Sequence, residues 1–192
     1  MIRTILITAI VVLTQAGSAF AETDGARKFI EKVSSDTIAI VKSDISNEEK
    51  EQQITKLFED VVDTKWMARF VMGRYWNEAN DEQKKKYTDL YHKFVLSNYV
   101  PLFREYNDEK IVVKSVSGDS DNEFTIYTEI KSEGDPTYRV DYKVKKDSQK
   151  YQIFDIVAEG ISMITTQRSD FGSILSRGGI KDLVKRLKAK VS

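Results

Sequence analysis

Hydrophobic positions recur with a helical period of about 3.6 over residues 26–106, alternate with period 2 over residues 110–159, and return to the helical period over residues 162–191. Those two switches predict an α+β chain: helices, then a sheet, then C-terminal helices. After a short polar lead at Glu22 to Gly25, Phe29, Ile30, Val33, Ile40 and Val41 share one face of a first helix, Ala26 to about Lys42. Ser46-Asn47-Glu48-Glu49 reads as a capping box, in which the serine oxygen and the glutamate carboxylate each accept from the other's backbone amide. Ile54, Leu57, Phe58, Val61 and Val62 follow on one face. Asp63 or Thr64 caps a third helix carrying Trp66, Met67, Phe70 and Val71. Gly73 costs about 1 kcal/mol inside a helix, so it marks either a close approach of backbone or ligand, or the helix end. Asn80-Asp81-Glu82-Gln83 is a second capping box, opening a long helix with Tyr87, Leu90, Tyr91, Phe94, Val95 and Tyr99 on its apolar face. Pro101 lacks an amide donor and clashes with the preceding turn, so this helix kinks near Asn98, or breaks there and resumes through Leu102, Phe103 and Tyr106.

The alternating region divides into four antiparallel strands, about Lys110 to Val116, Glu123 to Lys131, Thr137 to Lys145 and Tyr151 to Glu159. Symmetric closure of the turn at Ser132 to Pro136 opposes Ile130 and Tyr138, Ile126 and Tyr142, and Phe124 and Val144, giving with Val140 one broad apolar face. The other faces carry Glu123, Thr125, Tyr127, Glu129 and Lys131, then Arg139, Asp141, Lys143 and Lys145, and are expected in solvent. The fourth strand is apolar on both faces, Tyr151, Ile153 and Val157 against Phe154, Ile156 and Ala158, which predicts an inner strand. Which set faces inward depends on the turn at Lys146 to Lys150. Glu159-Gly160-Ile161-Ser162 passes straight from strand to helix, with Gly160 relieving the turn and Ser162 as N-cap. Gly178-Gly179 separates a helix ending near Leu175 from a last one over Ile180 to Val191.

Met1 to Ala21 changes the picture of the chain as a whole. Arg3, the apolar run Ile5 to Leu13 and the site Ala19-Phe20-Ala21 have the order of a secretory signal, with an uncleaved anchor as the alternative. Residues 22–192 are then a single exported domain. With 41% hydrophobic and 31% charged residues the composition is globular, and 30 Lys and Arg against 30 Asp and Glu argue against binding to nucleic-acid phosphates. The chain has 0 cysteines, which excludes disulfides, thiol nucleophiles and a cysteine lipid anchor.

Candidate chemistry is sparse. His92 is the one histidine, expected at the edge of a helix's apolar stripe, and a catalytic triad would require it to stand beside both partners. No phosphate-cradling glycine motif is present, and a metal site is not expected. Asp155 interrupts an apolar strand: it is either a general base working with Tyr138 or Tyr142, or a structural carboxylate paired with Arg168, Arg74 or backbone donors at the hinge. The larger signal is aromatic, 9 Tyr, 9 Phe and 2 Trp, and by periodicity alone these residues fill a core or line a cavity equally well.

Asp155, Gly160, Ser162, Arg168 and Phe171, followed by Gly179, Leu183 and Leu187, resemble the C-terminal signature of the MlaC (toluene-tolerance auxiliary) family, Asp-x-x-x-x-Gly-x-Ser and then Arg-x-x-Phe. Met72-Gly73-Arg74-Tyr75-Trp76 is similar to the family's Leu-Gly-Arg-x-Trp element, with Met in place of Leu. Ile161 and Met163 stand where Val and Leu are usual, and Asn80-Asp81 where Ser-Pro is common. The resemblance implies a four-stranded antiparallel sheet with helices around one face, cone-like (NTF2-like), enclosing an apolar cavity. It implies a soluble periplasmic phospholipid carrier with no catalysis and no cofactor beyond its lipid cargo. Its partners would be an outer-membrane lipoprotein complex and an inner-membrane ABC transporter with an MCE-domain protein, serving outer-membrane lipid asymmetry. The expected wall is Met67, Phe70, Val71, Phe124, Ile126, Ile130, Tyr138, Val140, Tyr142 and Met163, with Asp155, Gly160, Ser162 and Arg168 as a structural hinge. An exported isomerase-like enzyme using Asp155, or an interaction module with a filled aromatic core, are the alternatives.

Overall fold

A computed structural model describes the backbone of residues 5–191 except 106–107, 121, 133–135 and 149, and side chains from residue 22 onward, Ser120 also excepted. The start and the side chains of the expected leader, Met1 to Ala21, lie outside the described residues, as do Tyr106 and the tip of the Ser132 to Pro136 turn. The chain runs α1 (Ile5–Val41), α2 (Asn47–Val61), α3 (Thr64–Met72), α4 (Tyr75–Glu78), α5 (Asp81–Tyr99), a 3₁₀ helix (Val100–Glu105), β1 (Lys110–Ser120), β2 (Glu123–Lys131), β3 (Tyr138–Asp147), β4 (Lys150–Ala158), β5 (Ile161–Ser162) and α6 (Met163–Lys190). The sheet is antiparallel in the order β1-β2-β3-β4-β5. It has five strands where the alternation predicts four.

Local signals set the helix boundaries. Ser46 and Asn80 form complete capping boxes with Glu49 and Gln83, and Asp63 accepts from the Trp66 amide. Gly73 ends α3 at φ 56°, so the helix-end reading of this glycine holds; what approaches it closely is neither backbone nor ligand but the Arg168 guanidinium, 3.2 Å from where a Cβ would lie. Pro101 ends α5 by tightening the next turn into the 3₁₀ helix. The polar lead at Glu22 to Gly25 is itself helical, because nothing there breaks the helix and Asp24 pairs with Lys28 one turn on at 2.6 Å. Among the described residues no helix is long and apolar enough to cross a membrane.

The predicted hairpin register is present in full: Ile130 faces Tyr138, Ile126 faces Tyr142 and Phe124 faces Val144. β4 is an inner strand, flanked by β3 on one edge. On the other edge β5 covers one end, and the Val62 bridge to Ile153, with the Asp63 amide donating to the Ile153 carbonyl at 2.9 Å, covers the other. A bulge resolves its facing. Lys143 pairs with Asp155 but Val144 pairs with Ile153, so Phe154 is an extra residue. Tyr151 and Ile153 before the bulge, and Ile156 and Ala158 after it, all share the inner face, while Phe154 turns onto the Trp66 ring at 4.8 Å.

Two expectations for the sheet fail. Strand does not pass straight to helix after Gly160: Glu159 and Gly160 both take positive φ, as a type I′ hairpin needs, and β5 folds back on β4 before Ser162 caps α6. Nor is the outer face simply solvated. Thr125 is buried beneath Asp119, and Asp141 lies under the Arg139 guanidinium, whose Nη2 donates to it at 2.6 Å.

Candidate functional site

The inner sheet face and the helices across it do not close on each other. Between them lies a cavity of about 640 Å³, in the range of small-molecule sites. Ile111, Ile130, Tyr138, Val140, Tyr142, Ile153, Ile156 and Ala158 form its sheet wall. Ile30, Val33 and Ile38 of α1, Ile54, Leu57, Phe58 and Val61 of α2, Met67 of α3, Val95 and Tyr99 of α5, and Met163 form its helix wall. It opens to solvent where Leu102, 57% exposed, and Tyr138, 53% exposed, line it beside Glu105, Glu109 and Pro136.

Of the residues expected on the wall, Met67, Ile130, Tyr138, Val140, Tyr142 and Met163 line the cavity. Phe124, Ile126, Phe70 and Val71 do not. The sheet's apolar face is longer than the cavity, and the α1 segment around Ala26 and Phe29 packs over the end that holds Phe124 and Ile126, leaving Ile126 fully enclosed. Val71 is buried in the core, and Phe70 stacks on Trp66 at 5.2 Å and takes Arg168 over its other face at 4.8 Å. The α1 and α2 lining residues were visible in the sequence only as ordinary amphipathic stripes.

Asp155 borders the cavity and is 3% exposed, but it is fully engaged. Its carboxylate accepts from the Ser162 hydroxyl at 2.6 Å and the Ile164 amide at 3.2 Å, where the N-terminus of α6 also favours negative charge. Arg168 is not its partner, because it is stacked on Phe70 against Gly73; two stretches of the sequence signature therefore meet each other instead. Beside Asp155 the Tyr91 hydroxyl donates to Gln167 at 2.5 Å, and the Gln167 amide donates to Tyr99 at 3.2 Å. Burial pushes the Tyr91 and Tyr99 phenols upward, and the Asp155 charge adds to both. Burial alone pushes Tyr142 up to about 12. Each of these three phenols stays protonated near neutrality.

His92 is more engaged than a surface histidine. Its ring lies between Thr64 Oγ1 and Glu59 Oε1, each at 3.0 Å, which is the order of a nucleophile-base-acid relay. Thr64 is nevertheless buried and off the cavity wall, and the trio ties α2, α3 and α5 together. Among the described residues no group of three or more metal-ligating side chains is placed to hold an ion.

The family described as MlaC protein matches residues 31–189. The intermembrane phospholipid transport system binding protein MlaC of Haemophilus influenzae is 22% identical over 135 residues, covering 68% of this chain and 63% of that protein. The toluene tolerance protein ttg2D of Pseudomonas putida is 20% identical over 127 residues, 66% of this chain and 59% of its own length. The matches thus span less than two thirds of these relatives. The solved structure of a phospholipid-binding protein from Ralstonia solanacearum, in complex with a phospholipid, superposes with a TM-score of 0.76 at 22% identity, covering 85% of this chain and 95% of that one.

Proposed function

We propose, since the chain belongs to the MlaC family, that its cavity takes the acyl chains of a phospholipid while the headgroup stays at the mouth. The observation that carries this is the unfilled, apolar space of about 640 Å³ between sheet and helices, open at Leu102 and Tyr138. Two chains of about 16 carbons, at roughly 0.8 kcal/mol per buried CH₂, give a transfer term on the order of 25 kcal/mol. Shielding them from water is therefore the whole task, and no reaction is part of it.

In this reading residues 1–21 are a leader removed on export and residues 22–192 are one periplasmic domain. It shuttles phospholipid between outer-membrane and inner-membrane complexes and so maintains outer-membrane lipid asymmetry. The name of the Haemophilus relative, which places it in an intermembrane transport system, supports that role. The test is mass spectrometry of solvent extracts from protein purified without detergent, with N-terminal sequencing of the periplasmic fraction. Stoichiometric phospholipid and a start at Glu22 are expected; a lipid-free protein with a dry cavity overturns the carrier reading.

A further inference from the structure

Among the described residues, two hydroxyl groups on the cavity wall away from its mouth have no hydrogen-bond partner. Ser34, on α1, is 9% exposed, and Tyr142, on β3, projects from the sheet opposite Ile126 and Ile156. Among the described residues no fully enclosed side-chain nitrogen or oxygen lacks a partner, so both oxygens touch open space. Both residues line the cavity, and Ser34 also borders a groove of about 300 Å³ between α1 and β1. Their polar neighbours are occupied. The Thr37 hydroxyl returns to the Val33 carbonyl at 2.8 Å, Asp155 holds Ser162 and Ile164, and Tyr99 takes the Gln167 amide. A phenylalanine at 142 and an alanine at 34 would line the same wall without the cost of an unpaired polar group.

We propose that the Tyr142 and Ser34 hydroxyls form a polar subsite that donates hydrogen bonds to an oxygen of the bound lipid. The inference rests on the phospholipid reading above. Tyr142 is a donor at every physiological pH, since burial holds its phenol up to about 12. A phospholipid offers acceptor oxygens in two places, the ester carbonyls that join chain to glycerol and any oxygen carried on the acyl chain itself. Tyr142 lies four residues inward from Tyr138 at the mouth, about 14 Å along the strand at its usual rise, below the level at which the headgroup stays in this reading, so the lipid oxygens open to it are of these two kinds.

The experiment compares three phospholipids of one headgroup and chain length, a diacyl ester, a dialkyl ether and a diacyl ester with a mid-chain hydroxyl. Binding to delipidated wild type, Tyr142→Phe and Ser34→Ala is measured, with thermal unfolding to show that each is folded. Wild type is expected to favour one oxygen-bearing lipid over its match by about threefold to tenfold, the worth of one net hydrogen bond. Tyr142→Phe should erase that preference, read as the ratio of affinities for the matched lipids, and Ser34→Ala should weaken it. Preference for ester over ether assigns the subsite to the carbonyls; preference for the hydroxylated chain assigns it to a chain oxygen. Equal binding of all three by the wild type, or a preference that survives in both variants, overturns the subsite and leaves the carrier reading standing. A wild type that binds none of them overturns both.

Discussion

Tyr151 occupies the space that Gly25 leaves empty: a Cβ at Gly25 would lie 2.3 Å from the Tyr151 hydroxyl. That hydroxyl donates to the Glu22 carbonyl at 3.2 Å, and Lys146 reaches the Glu22 carboxylate at 3.3 Å. The sheet thus grips α1 at the first residues after the expected cleavage at Ala21. Gly25→Ala should lower stability by about 1–2 kcal/mol although alanine is the better helix former, because the tyrosine must move. In a Tyr151→Phe background the same change should cost less, as a double-mutant cycle by thermal unfolding reads directly. Additive losses would show that the contact is not shared.

Ile126 and Ile130 stand on one strand and one face, yet only Ile130 borders the cavity. Ile126→Glu buries an unpaired carboxylate in packed core and should cost several kcal/mol, enough to unfold the domain near ambient temperature. Ile130→Glu can draw water from the mouth, so it should remain folded and purify with less phospholipid. Circular dichroism and lipid mass spectrometry on the two variants separate these outcomes. A folded Ile126→Glu protein would mean the cavity extends further than its present lining.

Alkali should unfold the protein. The folded-state value of Tyr142 is raised by burial from 10.0 to about 12, and burial raises Tyr87 as well. A phenol bound more tightly to its proton in the folded state stabilises the fold below the unfolded value, and that contribution is lost as pH rises from about 10 through 12. For Tyr142 alone the loss is about 3 kcal/mol, two pKa units at roughly 1.4 kcal/mol each. Absorbance of tyrosinate followed against pH alongside circular dichroism should show ionisation of buried tyrosines coinciding with unfolding, and Tyr142→Phe should move the transition upward.

Gly179 breaks α6 at φ 64° and ψ −170°, a backbone conformation open to glycine, and a Cβ there would meet nothing within 4 Å. Gly179→Ala should therefore be destabilising by strain alone, by about 1–3 kcal/mol, with no steric partner to relieve it. No change in Tm would indicate that the two halves of α6 straighten without loss, which the burial of Leu183 and Leu187 argues against.

What was legible in the sequence was local. The boxes at Ser46 and Asn80 and the pairing of Ile130 with Tyr138 depend on residues a few positions apart, and all are present. What was not legible depends on how elements meet. Thr125 and Asp141 alternate correctly as outward residues and are buried by Asp119 and Arg139. Phe124, Ile126 and Ile130 carry the same pattern, and the end over which α1 lies decides which are core and which are wall. His92 finds Glu59 and Thr64 only because three helices converge on it.

The extra residue in β4 makes parity a determinant of the cavity. Ile153 and Ile156 are three apart in sequence yet face the same way, opposite Val144 and Tyr142, which are two apart. Plain alternation through the same residues would put Ile156 and Ala158 on the outer face whenever Ile153 faces in. A substitution at Phe154 changes one contact with Trp66, whereas deleting that residue would close the bulge and leave Ile153, Ile156 and Ala158 facing the cavity. Side-chain scanning would pass over this, since no individual residue carries it; the information lies in a count.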